Sequence, residues 1–419
     1  MDALIKSAKI ISPNSPFHLQ KKDILIEDGL IVKIGENLIG SKNIIQFDDL
    51  CISDGWIDLF STIREPGNEH KDNIENLIKS AAKGGFTTIL GVSGTVPPLD
   101  NKSQIKFVKN ASLNSIVNLL PAGTVTESQK GKEITEMYDM HLSGAVAFTD
   151  GKKVLKNPEL LKRALLYAKP FGGIIICYCE DQTVANEGMV NEGEATASLG
   201  LKVRPSLAEE LAITRDLFIA EYTESPIHIT GISTKKSVEI IKQAKTNGIK
   251  VSCDVNIANL YFTDTSTKSF DANYKLLPPL RSEEDRLALI KGLKDGVINA
   301  VSSGHTPQNI ETKFCEFDNA DFGGISLEAA YNALNKVLGN DFSDEEIIKL
   351  IATNPADVLG ITQKIDINEK ANITIFRSKG NFNFKKSDIK CLSKNSPFIG
   401  AELKGEVIGI INNGKIQFN

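Results

Sequence analysis

Short runs of alternating or continuous apolar residues recur along the chain, and helical periodicity fills most of the intervals between them. Near the start, residues 2–12, 22–28 and 30–35 predict strands, the last two alternating apolar and polar positions on either side of an Asp28-Gly29 turn. Residues 371–376 and 407–418 repeat that pattern near the end, with a second turn at Asn413-Gly414. In between, residues 87–92, 173–177 and 249–253 are apolar runs short enough for buried strands, separated by helix-length segments. Ser206-Leu207-Ala208-Glu209 and Ser343-Asp344-Glu345-Glu346 carry the Ser-x-x-Glu capping pattern, so helices are expected to start there. Alternating strand and helix imply parallel strands with helical crossovers. The expected fold is α/β: a (β/α)8 barrel over residues 53–364, with a small composite β-sandwich built from residues 1–52 and 365–419. In such a barrel, chemistry sits at the C-terminal ends of the strands.

Composition narrows the partners. With 419 residues, 41% hydrophobic and 24% charged, the chain can bury one large core and an accessory layer. A net charge of −5 and a pI near 5.7 leave no basic footprint for nucleic acid. No apolar run approaches membrane-spanning length and the N-terminus lacks a signal-peptide pattern, so a soluble, cytoplasmic protein with no membrane partner is expected. The six cysteines form no paired framework, in keeping with a reducing compartment. Cys177 and Cys179 share a strand face and with Cys253 form a conceivable soft-metal set, but buried apolar cysteine is the stronger expectation.

Several motifs recur in one order: Ser53-Asp54-Gly55-Trp56-Ile57-Asp58 leading to Arg64-Glu65-Pro66-Gly67; Gly188-Met189-Val190-Asn191-Glu192-Gly193; Leu277-Pro278-Pro279-Leu280-Arg281; Ala352-Thr353-Asn354-Pro355-Ala356; and Ser393-Lys394-Asn395-Ser396-Pro397-Phe398. Together they resemble the dihydroorotases of the amidohydrolase superfamily from about residue 3 to the C-terminus. The resemblance implies zinc held by histidines and a metal-bound catalytic aspartate, and those residue types are missing. The family's His-x-His falls on Phe60 and Thr62, its next histidine on Tyr178, the one after on Gly231, and its aspartate on Gly304. Only Asp150 remains where some members bridge two metals. One carboxylate without imidazoles is a poor zinc site, and glycine at 304 cannot carry a proton to a leaving amide nitrogen.

The expectation is therefore no metal, no cofactor and no catalytic residue: a dihydroorotase-like pseudoenzyme serving as a structural or regulatory partner in pyrimidine biosynthesis. Aspartate transcarbamoylase or another pathway enzyme is the partner the resemblance implies, and a homo-oligomer is possible on the same footing. Two alternatives stand beside it. One is an active enzyme with an unconventional site: a true dihydroorotase that recruits its ligands elsewhere, or another cyclic-amide hydrolase that uses Asp150, Tyr178, Glu180, Asp181 and His305 around Arg64. The other is a small-molecule sensor using a residual pocket of Arg64, Gly94, Leu277, His305 and Gln308. Arg64 is of the type that grips a carboxylate with two parallel hydrogen bonds. His305 is expected to be a loop histidine held by backbone hydrogen bonds, and His18, His70 and His141 lie outside the motifs.

Overall fold

The computed structural model describes residues 1–40 and 43–419. Eight parallel strands make the barrel: Trp56–Ile63, Phe86–Ser93, Asn118–Gly123, Ala147–Phe148, Ile174–Cys177, Ile227–Ile229, Val251–Asn256 and Ala300–Ser302, hydrogen-bonded in chain order. Closure comes just past the last strand, where Ser61 bridges His305 and the Thr62 amide donates to the His305 carbonyl at 2.9 Å. The first two strands are buried along their whole length, as expected where side chains face either the barrel interior or the surrounding helices.

Both chain ends form one further eight-stranded, curled sheet. Ala3–Ile11, Lys21–Glu27, Leu30–Gly35, Ile44–Ile45 and Cys51–Asp54 join Ile373–Asn383, Glu402–Asn412 and Lys415–Phe418 in it. The seam with the barrel is aromatic. Trp56, fully buried, lies 4.5 Å from the Tyr331 ring and 5.4 Å from Phe376, while its indole N–H donates to Ser53 Oγ at 2.9 Å. Full burial of such a ring is among the largest single hydrophobic contributions available.

The two capping patterns behave differently. At Ser343 the box is complete: its side chain accepts from the Glu346 amide, and Glu346 accepts from the Ser343 amide. Ser206 corrects the expectation. The helix does start at Leu207, but Ser206 is itself in a helical conformation and makes no side-chain cap. The physical reason is that Glu209 turns inward, accepting from the Ser233 amide at 2.8 Å and Ser237 Oγ at 2.7 Å instead of reaching back.

Candidate functional site: the barrel mouth

Each position that the family resemblance assigns to the metal centre falls at or beside the C-terminal edge of the barrel, and side chains fill the space between several of them. Phe60 is buried, and Lys152 Nζ stands 5.4 Å from the centre of its ring while donating to the Leu277 carbonyl at 2.5 Å. Burial, followed by repulsion from Arg64, pulls the Lys152 amine down to about 7. Gly231 and Gly304 both have positive φ, +68° and +64°. The Asn256 side-chain amide lies against both: a Cβ on Gly304 would come within 2.8–3.0 Å of it, and one on Gly231 within 3.6–3.8 Å. Asn256 thus occupies the volume a side chain at 304 would need. Tyr178 is buried, and burial pushes its phenol well above the usual range.

Asp150 is committed to a loop. Its carboxylate accepts from the Val125 amide at 2.8 Å, the Thr126 amide at 3.0 Å and Thr126 Oγ1 at 2.5 Å, although burial raises its pKa. Thr62 pairs with Thr306 across the barrel closure, Oγ1 to Oγ1 at 3.3 Å. Phenylalanine, threonine, tyrosine and two glycines around a fully bonded carboxylate do not fit a zinc ion, which takes thiolate, imidazole or free carboxylate donors.

Cys177, Cys179 and Cys253 do not replace those donors. All three are buried in the core with thiols pushed upward by desolvation; Cys179 Sγ lies 3.3 Å from Asp216 Oδ2, and Cys253 Sγ lies 3.5 Å from the Val297 carbonyl. Among the described residues one buried trio, Asp72, His305 and Cys391, does bring potential ligand atoms within 4.8 Å of one another. In that trio Asp72 Oδ2 is buried without a hydrogen-bond partner among the described residues. The His305 Nδ1 lies 3.4 and 3.5 Å from the Ser326 and Leu327 amides. Burial holds that ring neutral, down to about 4, and raises Asp72 to about 6. The Nδ1 side of the histidine thus faces backbone amides, while its Nε2 is buried without a hydrogen-bond partner among the described residues.

The proposed residual pocket separates into parts. Arg64 and Gly94 are adjacent: the Arg64 Nε donates to the Pro307 carbonyl at 3.0 Å, and a Cβ on Gly94 would meet Arg64 Nη1 at 2.9 Å and the Thr62 methyl at 2.3 Å. No carboxylate of the described residues forms an ion pair with Arg64. Gln308 is tied down, accepting from Lys71 Nζ at 2.6 Å and donating to the Phe322 carbonyl at 2.7 Å. Leu277 contributes its carbonyl to Lys152, and His305 is fully buried. Of the residues proposed for an unconventional hydrolase, Glu180 is paired with Arg204 at 2.5 Å and Asp181 caps the short helix Gln182–Ala185, so neither is free to serve Arg64.

Other motif residues are wired to one another. Arg281 Nη1 donates to Asn191 Oδ1 at 2.9 Å and to the Arg204 carbonyl at 2.8 Å, its Nε donates to Ser233 Oγ at 3.0 Å, and Glu209 lies 3.9 Å from its guanidinium. His228 is equally enclosed, with Nε2 2.9 Å from Asp254 Oδ2 and Nδ1 2.7 Å from Ser252 Oγ. Sequence reasoning missed Lys152, Asn256 and Asp254. The available signal was position alone: a lysine and two polar residues at the C-terminal edges of barrel strands.

Residues 50–237 match the model of the family described as dihydro-orotase-like. The dihydroorotase of Acetivibrio thermocellus is 37% identical over 99% of this chain and 98% of its own length. That of Geobacter metallireducens is 35% identical, covering all of both chains. The chain belongs to the dihydroorotase family. Among solved structures, the L-hydantoinase (dihydropyrimidinase) of Arthrobacter aurescens superimposes with a TM-score of 0.87 at 22% identity over 99% of this chain and 95% of its own, a likeness of fold. The family expected from the motifs and the barrel are thereby established, and among the described residues no helix is long and apolar enough to cross a membrane.

Proposed function

We propose that this chain is a dihydroorotase-family barrel whose mouth no longer performs zinc-dependent ring opening, and that it acts as a non-hydrolytic structural or regulatory component in pyrimidine biosynthesis, with aspartate transcarbamoylase the partner that the family resemblance favours. The observation that carries this reading is the filling of the ligand space: Asn256 packed against Gly304 and Gly231, and Lys152 set over Phe60. Ring opening of a cyclic amide needs an activated water and a group that protonates the leaving nitrogen. Here the position of the proton carrier is a glycine abutted by an amide.

A second reading, an active dihydroorotase or other cyclic-amide hydrolase with an unconventional site, is the one the named relatives favour, and two observations support it. The relatives bear the name dihydroorotase, and Lys152 is an amine brought to about 7, where it can accept a proton near neutrality. Arg64, without an ion-pair partner, is the residue either reading would use to hold an anionic ligand.

The deciding experiment is formation of carbamoyl aspartate from dihydroorotate by the zinc-supplied protein, compared with Lys152→Met. The account expects no rate above the uncatalysed reaction. A rate abolished by Lys152→Met would establish the second reading, and a rate abolished by chelation would overturn the first at its root.

A further inference from the structure

Inside the barrel, Ser252, His228 and Asp254 form a hydrogen-bonded line. His228 and Ser252 are paired residues of the neighbouring parallel strands Ile227–Ile229 and Val251–Asn256. Ser252 and Asp254, two residues apart on one strand, share a face. Ser252 Oγ lies 2.7 Å from His228 Nδ1, and His228 Nε2 lies 2.9 Å from Asp254 Oδ2. Asp254 is fixed in turn, because its Oδ1 accepts from Ser302 Oγ at 2.6 Å and from the Gly231 amide at 3.1 Å. A carboxylate only accepts, so in the neutral ring the proton sits on Nε2, and the Nδ1 lone pair receives the hydrogen bond of the Ser252 hydroxyl.

A nucleophile on a base, with the base oriented by a third group, is the arrangement that activates a serine. Burial differs along the line in the way such a role requires. His228 and Asp254 are fully enclosed, whereas Ser252 is half-buried and lines a cavity of about 450 Å³. The same wall carries Ile174, Ile227 and Val251, the first residues of three barrel strands, so the cavity opens at the end opposite the mouth. Its volume falls within the roughly 300–1,000 Å³ of small-molecule sites.

We propose that Ser252 is a covalent modification site, a nucleophile that takes a short apolar acyl group from a thioester. As Ser252 Oγ bonds to the carbonyl carbon, its proton passes to His228 Nδ1. The tetrahedral carbon then expels the sulfur, the C–S bond breaks, and the departing thiolate takes the proton back from Nδ1. The products are an acyl-serine ester and a free thiol, with the ring neutral again. Asp254 holds the Nε2 proton throughout and offsets the positive charge that the ring carries between the two transfers.

The walls select the acyl class. Ile249, Leu350 and Val358 are apolar and suit a short hydrocarbon chain. Asn299 stands on the same lining; its Oδ1 accepts from the Cys253 amide at 3.1 Å and Lys245 Nζ at 2.8 Å, while its Nδ2 makes no hydrogen bond among the described residues and is the donor for the developing oxyanion. A single such donor favours an activated acyl compound with a good leaving group over an amide.

The test is intact-mass and peptide-mapping mass spectrometry of the full-length protein, exposed separately to the butyryl thioester of N-acetylcysteamine and to an alkyl fluorophosphonate. The expected result is one adduct from each probe, on Ser252. It should form at least about 100-fold faster than on any other serine, the lower end of what a positioned base contributes. Ser252→Ala, checked for cooperative melting, should show no adduct, and the rate advantage should vanish in urea-unfolded parent. Adducts spread over other serines at similar rates, an adduct retained in Ser252→Ala, an advantage that survives unfolding, or no adduct on Ser252 from either probe overturns the proposal. The readout is modification of one serine, so it is independent of whether the barrel mouth turns over dihydroorotate.

Discussion

Residue 304 makes the energetics of the barrel mouth concrete. Placing an aspartate there brings a Cβ within 2.8–3.0 Å of the Asn256 amide and forces a non-glycine residue into φ +64°. The left-handed backbone costs ~1–2 kcal/mol, and overpacking adds ~1–3 kcal/mol. Gly304→Asp is therefore predicted to lose about 2–4 kcal/mol in urea unfolding without gaining activity, and Asn256→Ala in the same chain is predicted to recover part of the loss. Lys152 yields a prediction in pH. Its folded value, about 7, lies below the ordinary 10.5, so between those values the unfolded chain binds more protons and stability rises with pH. The penalty is complete below the folded value and vanishes above the unfolded one. Lys152→Met should be more stable than the parent at about pH 6, by ~1 kcal/mol once partial exposure and the lost hydrogen bond are discounted. The advantage should shrink as pH approaches 10; denaturation at two pH values checks the sign. The proposed loss of the ligands rests on residue type alone, since phenylalanine or glycine cannot imitate imidazole. What fills the space was not legible. Asn256 meets Gly231 and Gly304, and Lys152 meets Phe60 and Leu277, only through the closure of the barrel.

At the level of elements, the period of apolar residues carried the strands and the order of the barrel, because a two-residue alternation and short buried runs have few other solutions. Local motifs were less dependable where a side chain had a choice of partners. Ser206 and Ser343 share the same Ser-x-x-Glu pattern, yet only Ser343 caps. Ser343→Ala is accordingly predicted to cost about 1 kcal/mol, and Ser206→Ala less than ~0.5 kcal/mol, a contrast thermal denaturation resolves directly. The buried set joining Arg281, Asn191, Arg204, Ser233 and Glu209 gives these motif residues a structural task that owes nothing to turnover. Glu209→Ala, which strands the Ser233 and Ser237 donors and leaves Arg281 without its carboxylate, should cost about 3–5 kcal/mol in the same assay.

For the whole molecule, the end sheet and the barrel meet in the aromatic contact of Trp56, Tyr331 and Phe376. Trp56→Ala should remove about 3–5 kcal/mol and lower the single unfolding transition rather than release the sheet separately. A fold does not depend on its active centre, so the proposed loss of zinc chemistry is compatible with a chain that shares over a third of its residues with dihydroorotases. Zinc content of the protein, produced with zinc supplied and measured by elemental mass spectrometry after gel filtration, tests that account most directly. The account predicts less than about 0.1 zinc per chain; a stoichiometry near one or two, the full occupancy expected of a built site, would contradict it.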